Sequence, residues 1–194
     1  MRKIKWIILI VILMGFCITS CDDSPGGNNQ NSDPVINETR AKIILDSITY
    51  VLKEINNKLP DAGFSSPCTV YCSGGYAVAT GTHTYSSSAR DDWTDTSDVS
   101  LTFSNYSSSG GDKLTLISGS GTLKSRDTRR PSSTGIGNWT HSLEYTLSSC
   151  EFRYEAPGID VDYQGTVSVT YSSFSEYTYK ASITIDGEIY NIVK

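Results

Sequence analysis

The chain has 194 residues, 38% of them hydrophobic, 10% aromatic and 19% charged, enough for one globular domain with a real core and short for two. Serine and threonine together number 49 and stand beside 12 tyrosines, a mixture that favours strands over helices. The net charge is −5, and no basic cluster is denser than Arg126, Arg129 and Arg130, so nucleic acid is not an expected partner.

In chain order the first element is a leader. Arg2, Lys3 and Lys5 make a short cationic start, and residues 6–16 form an apolar run too short to span a bilayer, the pattern of a secretory signal. Ile18, Thr19 and Ser20 then place an aliphatic and two small residues before Cys21. On these residues the N-terminus resembles a bacterial lipoprotein precursor, and the resemblance covers only the first twenty-one or so residues. It implies that residues 1–20 are a removable signal peptide. Cys21 would then be the mature N-terminus, carrying a thioether-linked diacylglycerol and an amide-linked acyl chain such as palmitate. Cys17 is a poorer candidate because bulky Phe16 precedes it. Two or more chains anchor stably where one is marginal. The expected location is therefore the bacterial cell envelope, on a membrane, with inner or outer membrane and periplasmic or surface face left open.

Residues 21–33 read as the lipidated cysteine and a tether, since residues 24–33 offer no apolar side chain except Pro25. Without the leader the chain keeps 13 basic and 21 acidic residues, a net of −8. Residues 34–60 then carry the only convincing helical pattern. Ile44, Leu45, Ile48, Val51, Leu52, Ile55 and Leu59 recur at three- and four-residue spacings, with Lys42, Asp46, Lys53, Glu54 and Lys58 opposite. Asp33 or Asn37 would cap its start and Pro60 would stop it. Because its polar side mixes acids with bases, packing on a sheet is expected in preference to lying on a membrane.

From residue 61 to 194 the period falls to two. Val99, Leu101 and Phe103 alternate with polar neighbours, as do Leu143, Tyr145 and Leu147, and the long series from Ile159 to Tyr171. Further strands are expected at 76–85, 114–124, 177–185 and 188–193, the last two joined by Asp186-Gly187 as a tight hairpin. Two similar strand-turn-strand segments suggest a meander, with glycines where the sheet bends or bulges. The predicted fold is mainly β, α+β at the margin: seven or eight antiparallel strands in a curved sheet, barrel or half-barrel, with one N-terminal amphipathic helix.

Export makes Cys68, Cys72 and Cys150 candidate disulfide partners. Cys68 and Cys72 would lie roughly 13 Å apart if the segment between them is extended, beyond the reach of a bridge, so one of them, preferably Cys72, is expected to pair with Cys150. Only two histidines, His83 and His141, are present, and no metal site or cofactor is expected.

The common catalytic and nucleotide-binding motifs are absent. Asp91, Asp92, Asp95 and Asp98 read as a solvated loop beside Trp93, and Asp160 and Asp162 as the solvent-facing side of one strand. The tyrosines, Tyr76, Tyr145, Tyr163, Tyr171, Tyr177 and Tyr179, read first as a core face and second as a groove for a glycan or amphipathic ligand. The stretches 86–97 and 125–138 hold Trp93 and Arg129, the two binding candidates; gathered at one end of the sheet, they would form a recognition rim. The expected role is a noncatalytic, membrane-anchored binding or scaffolding protein, its partner an envelope protein, glycan or lipid. A carrier with a β cavity and an envelope hydrolase are the alternatives.

Overall fold

A computed structural model describes residues 36–60, 64, 67–89, 92–107, 113–131, 137–155, 163–173, 175 and 178–194. Cys21, Asp91, Asp160, Asp162 and Tyr177 lie outside them. Among the described residues the fold is a helix, α1 (Glu38–Asn57), followed by eight strands: β1 (Cys68–Tyr71), β2 (Tyr76–Ala89), β3 (Asp92–Ser107), β4 (Lys113–Arg130), β5 (Asn138–Glu155), β6 (Tyr163–Ser173), β7 (Tyr179–Ile185) and β8 (Glu188–Val193). Each strand pairs antiparallel with the next in a single sheet of order β1 to β8, and the sheet stays open, with β1 and β8 at its edges. The expected mainly β fold with one helix is the fold observed.

Helix α1 begins where Asn37, in extended backbone, turns its side chain back to accept from the Arg40 N–H at 2.9 Å. That satisfies one of the helix's orphan donors. The regular helix is shorter than the expected 34–60, ending at Asn57 ahead of Pro60. Ala41, Ile44, Leu45, Ile48, Val51, Leu52 and Ile55 are each at most 1% exposed, so the apolar stripe fills the hollow of the sheet. Each buried Val, Leu or Ile contributes about 1.5–3 kcal/mol relative to exposure.

Contacts along the helix fix its path. Tyr190 on β8 donates to the Ile36 carbonyl at 2.9 Å, Thr49 Oγ1 lies 2.7 Å from the Tyr145 hydroxyl on β5, and the Lys58 ammonium sits 5.8 Å from the centre of the Tyr106 ring on β3. The tyrosines of the central strands belong to this core. Tyr145 and Tyr171 stack at 4.7 Å, Tyr171 and Tyr179 at 5.2 Å, and burial pushes the Tyr145 hydroxyl well above its ordinary range.

Sheet curvature comes from local breaks in the ladder. The β4–β5 and β5–β6 registers both shift beside Ser149, which has φ +46°. The extra residue lets Leu147, Cys150 and Phe152 all face inward. Opposite this bulge Gly119 has φ +125°, and a Cβ there would stand 2.6 Å from Cys150 Sγ. The Asp186-Gly187 hairpin also forms, with φ of +48° and +91°, values that suit a type I′ turn.

Two expectations are corrected. The segments 86–97 and 125–138 are largely strand, because β3 and β4 stay paired out to Trp93↔Arg129. Asp92, Asp95 and Asp98 therefore belong to β3, with Asp95 on the core side and its two neighbours on the other. Cys68, Cys72 and Cys150 are free thiols, contrary to the expected bridge. Three strands separate β1 from β5, about 19 Å at the usual spacing, far beyond disulfide reach. Cys150 instead donates to the Ser120 carbonyl at 3.4 Å, and Cys72 accepts from the Ser107 N–H at 3.2 Å.

Candidate functional site

The core-side face of β2 to β5 continues past the helix-covered region, and its chemistry changes row by row. Val99, Leu123, Tyr145 and Tyr171 form one cross-strand row; the next holds His83, Ser97, Ser125 and Leu143. Beyond it come Tyr85, Asp95, Asp127 and His141, and last Ser87, Trp93, Arg129 and Trp139. Among the described residues, β1 covers β2 only from Tyr76 to Ala79, and β6 covers β5 only from Leu143 onward. The outer rows thus sit on a four-strand extension.

Burial falls along the same direction. His83 is 2% exposed, the Asp127 side chain 22%, the Asp95 side chain 27% and Trp139 56%. His83 Nδ1 lies 2.8 Å from Ser97 Oγ and 3.5 Å from Asp95 Oδ1. A serine–histidine–acid relay places the hydroxyl and the acid on opposite ring nitrogens. Here both approach Nδ1, and the buried His83–Ser97 pair forms a hydrogen-bonded floor next to the partly exposed Asp95.

His141 Nδ1 is hydrogen-bonded to Asp127 Oδ1, which orients the ring. Asp95 and Asp127 are direct cross-strand partners, so two carboxylates face the same space between the two histidines. Tyr85 and Trp93 bring their rings to 6.3 Å, and an ideal Cβ on Gly137 would lie 3.2 Å from Arg129 Nε, placing the arginine stem toward the β5 side. On the opposite face at this end, Arg130 pairs with Asp92; the Ser88 hydroxyl and then Arg130 hold that carboxyl below its ordinary range. Among the described residues no three His, Cys, Asp or Glu side chains gather as a metal site.

Of the two binding candidates named from sequence, Trp93 and Arg129 are brought together as cross-strand partners. Trp139, on the other side of Arg129, was missed, as was the Asp95–Asp127 pairing. Counting parity outward from the apolar residues finds them: 93, 95 and 97 share the face of Val99, 125, 127 and 129 that of Leu123, and 139 and 141 that of Leu143.

Two open surface depressions lie elsewhere. One, of about 600 Å³, is lined by Glu151, Gln164, Thr166 and Asp186 among others. Burial raises the Asp186 carboxyl, but bonds from the Thr166 N–H, the Tyr163 hydroxyl and the Thr166 hydroxyl outweigh that and hold it below its ordinary range. That carboxylate is occupied in tying the β7–β8 turn to the start of β6. The other, of about 320 Å³, runs over Thr122, Thr146 and Thr170. The first holds carboxylates without a ring or a cation, and the second sets Lys124 and Glu144 beside Tyr145 and Tyr171, whose rings are buried in the core. No protein family, curated protein or solved structure matches the chain.

Proposed function

We propose that the chain is a membrane-anchored bacterial envelope lipoprotein with a noncatalytic binding role, and that it recognises its partner with the outer rows of the β2–β5 extension. The observation that carries this reading is the unbroken row Trp93, Arg129, Trp139 standing beside the row Tyr85, Asp95, Asp127, His141. Aromatic rings and arginine are the side chains that most often dominate binding energy. The buried His83 floor beneath them supplies rigid support. A carrier role draws less support, because α1 occupies the hollow of the sheet.

The anchor is argued from the N-terminal residues alone. Cys21→Ala is expected to abolish labelling by a fatty-acid analogue, and labelling lost instead in Cys17→Ala would move the mature N-terminus. Recognition is tested by co-sedimentation with washed envelope fragments. Trp93→Ala combined with Arg129→Ala is expected to reduce retention at unchanged thermal stability. Unchanged retention, or hydrolysis of an envelope polymer that His141→Ala abolishes, would replace this reading.

A further inference from the structure

We infer that the partner of the extension is a neutral glycan strand laid across β3, β4 and β5, with Trp93 and Trp139 as its stacking platforms. The inference rests on the recognition reading above and adds the chemistry of the ligand. Trp93 and Trp139 occupy one register row with Arg129 between them, so their backbones stand two strand spacings apart, about 10 Å. Two flat apolar rings carried on backbones at that separation suit the carbon–hydrogen faces of sugar rings spaced along one chain, and Trp139 is exposed enough to offer its face.

The next row, about 7 Å along the strands, decides the ligand's charge. Asp95 and Asp127 are directly opposite one another, an arrangement that repels itself and any anion. Arg129, on the same face and two residues from Asp127, repels a cation approaching the tryptophans. What remains favourable is a neutral molecule that donates hydrogen bonds to carboxylates and accepts them from a guanidinium. Hydroxyl groups do both. A carboxylate has about four acceptor positions, so Asp127 keeps capacity for a ligand hydroxyl while His141 holds it. A guanidinium carries five donors, so Arg129 has N–H groups to give to sugar oxygens beside the interaction it already makes. An acyl chain would take the Asp95 and Asp127 carboxylates out of water while offering them no donor, a heavy cost.

The test uses the full chain, lipid-modified and held in detergent micelles. It is passed over immobilised β-glucan, mannan and chitin, with alginate as the polyanion and chitosan as the polycation, and tryptophan fluorescence is titrated with the matching oligosaccharides. Retention on at least one neutral polymer is expected, in preference to alginate and chitosan. Trp93→Ala and Trp139→Ala should each weaken it by roughly tenfold or more at unchanged melting temperature. Trp139→Phe keeps a ring and should recover part of the loss. Failure on every neutral polymer, preference for a charged one, or indifference to both tryptophan substitutions overturns the inference. If neutral polymers fail while envelope fragments are still bound through Trp93 and Arg129, the glycan assignment falls and the recognition role stands.

Discussion

The two halves of one sheet face are built on the same backbone pattern and serve opposite ends. Where α1 covers it, the face presents Val99, Leu101, Leu123, Leu147 and Ile183, all buried. A few residues further along the same strands it presents Asp95, Trp93, Asp127, Arg129, His141 and Trp139. Strand geometry is indifferent to that change, because alternation sets only which side a residue faces. The helix makes the difference: the apolar part is covered by α1, and the polar-aromatic part runs on past it.

The largest effects are expected in the covered half. Leu52→Ala, removing a side chain wholly buried in the helix–sheet interface, should lower unfolding free energy by about 2–5 kcal/mol in urea titration. A loss under 1 kcal/mol would mean the helix is not a structural part of the core. Gly119→Ala strikes the curvature itself, combining the φ of +125° with a Cβ pressed on Cys150. A cost of about 2–4 kcal/mol is expected, and a neutral substitution would show that the sheet bends by another route.

Asp186→Asn should matter less and in a pH-dependent way. Because the folded carboxyl sits below its ordinary range, its stabilisation is present at neutral pH and is lost as pH falls through the folded value. Exposure limits it to at most about 1 kcal/mol. The gap between wild type and Asp186→Asn in denaturant should close as the medium is acidified; a gap that widens contradicts the assignment. Smallest of all, Trp139→Ala should move stability by no more than about 0.5 kcal/mol, since more than half the residue is exposed. A larger loss would make Trp139 part of the fold instead of part of the surface.

Much of the covered half was readable from residue order. The stripe from Ile44 to Ile55 has helical spacing, the runs around Leu101 and Leu143 alternate, and Asp186-Gly187 marks its hairpin, all local signals. The extension hid because alternation is visible only when the two faces differ in polarity. In Trp93 to Ser97 both faces are largely polar, so the period of two persists in the backbone while the hydropathy pattern disappears. The Asp95–Asp127 pairing depends on register between strands 32 residues apart, which no local spacing encodes. The cysteines misled for a related reason: export makes a disulfide plausible, but strand order alone sets the distance from β1 to β5.

Hydrogen–deuterium exchange of the full chain, with and without washed envelope fragments, tests the recognition reading most directly. The account predicts slowed exchange in the extension, across residues 83–89, 92–95, 127–130 and 138–142, with the helix-covered strands unchanged. Protection confined to β6, β7 and β8, with the extension exchanging as in the free protein, would contradict it.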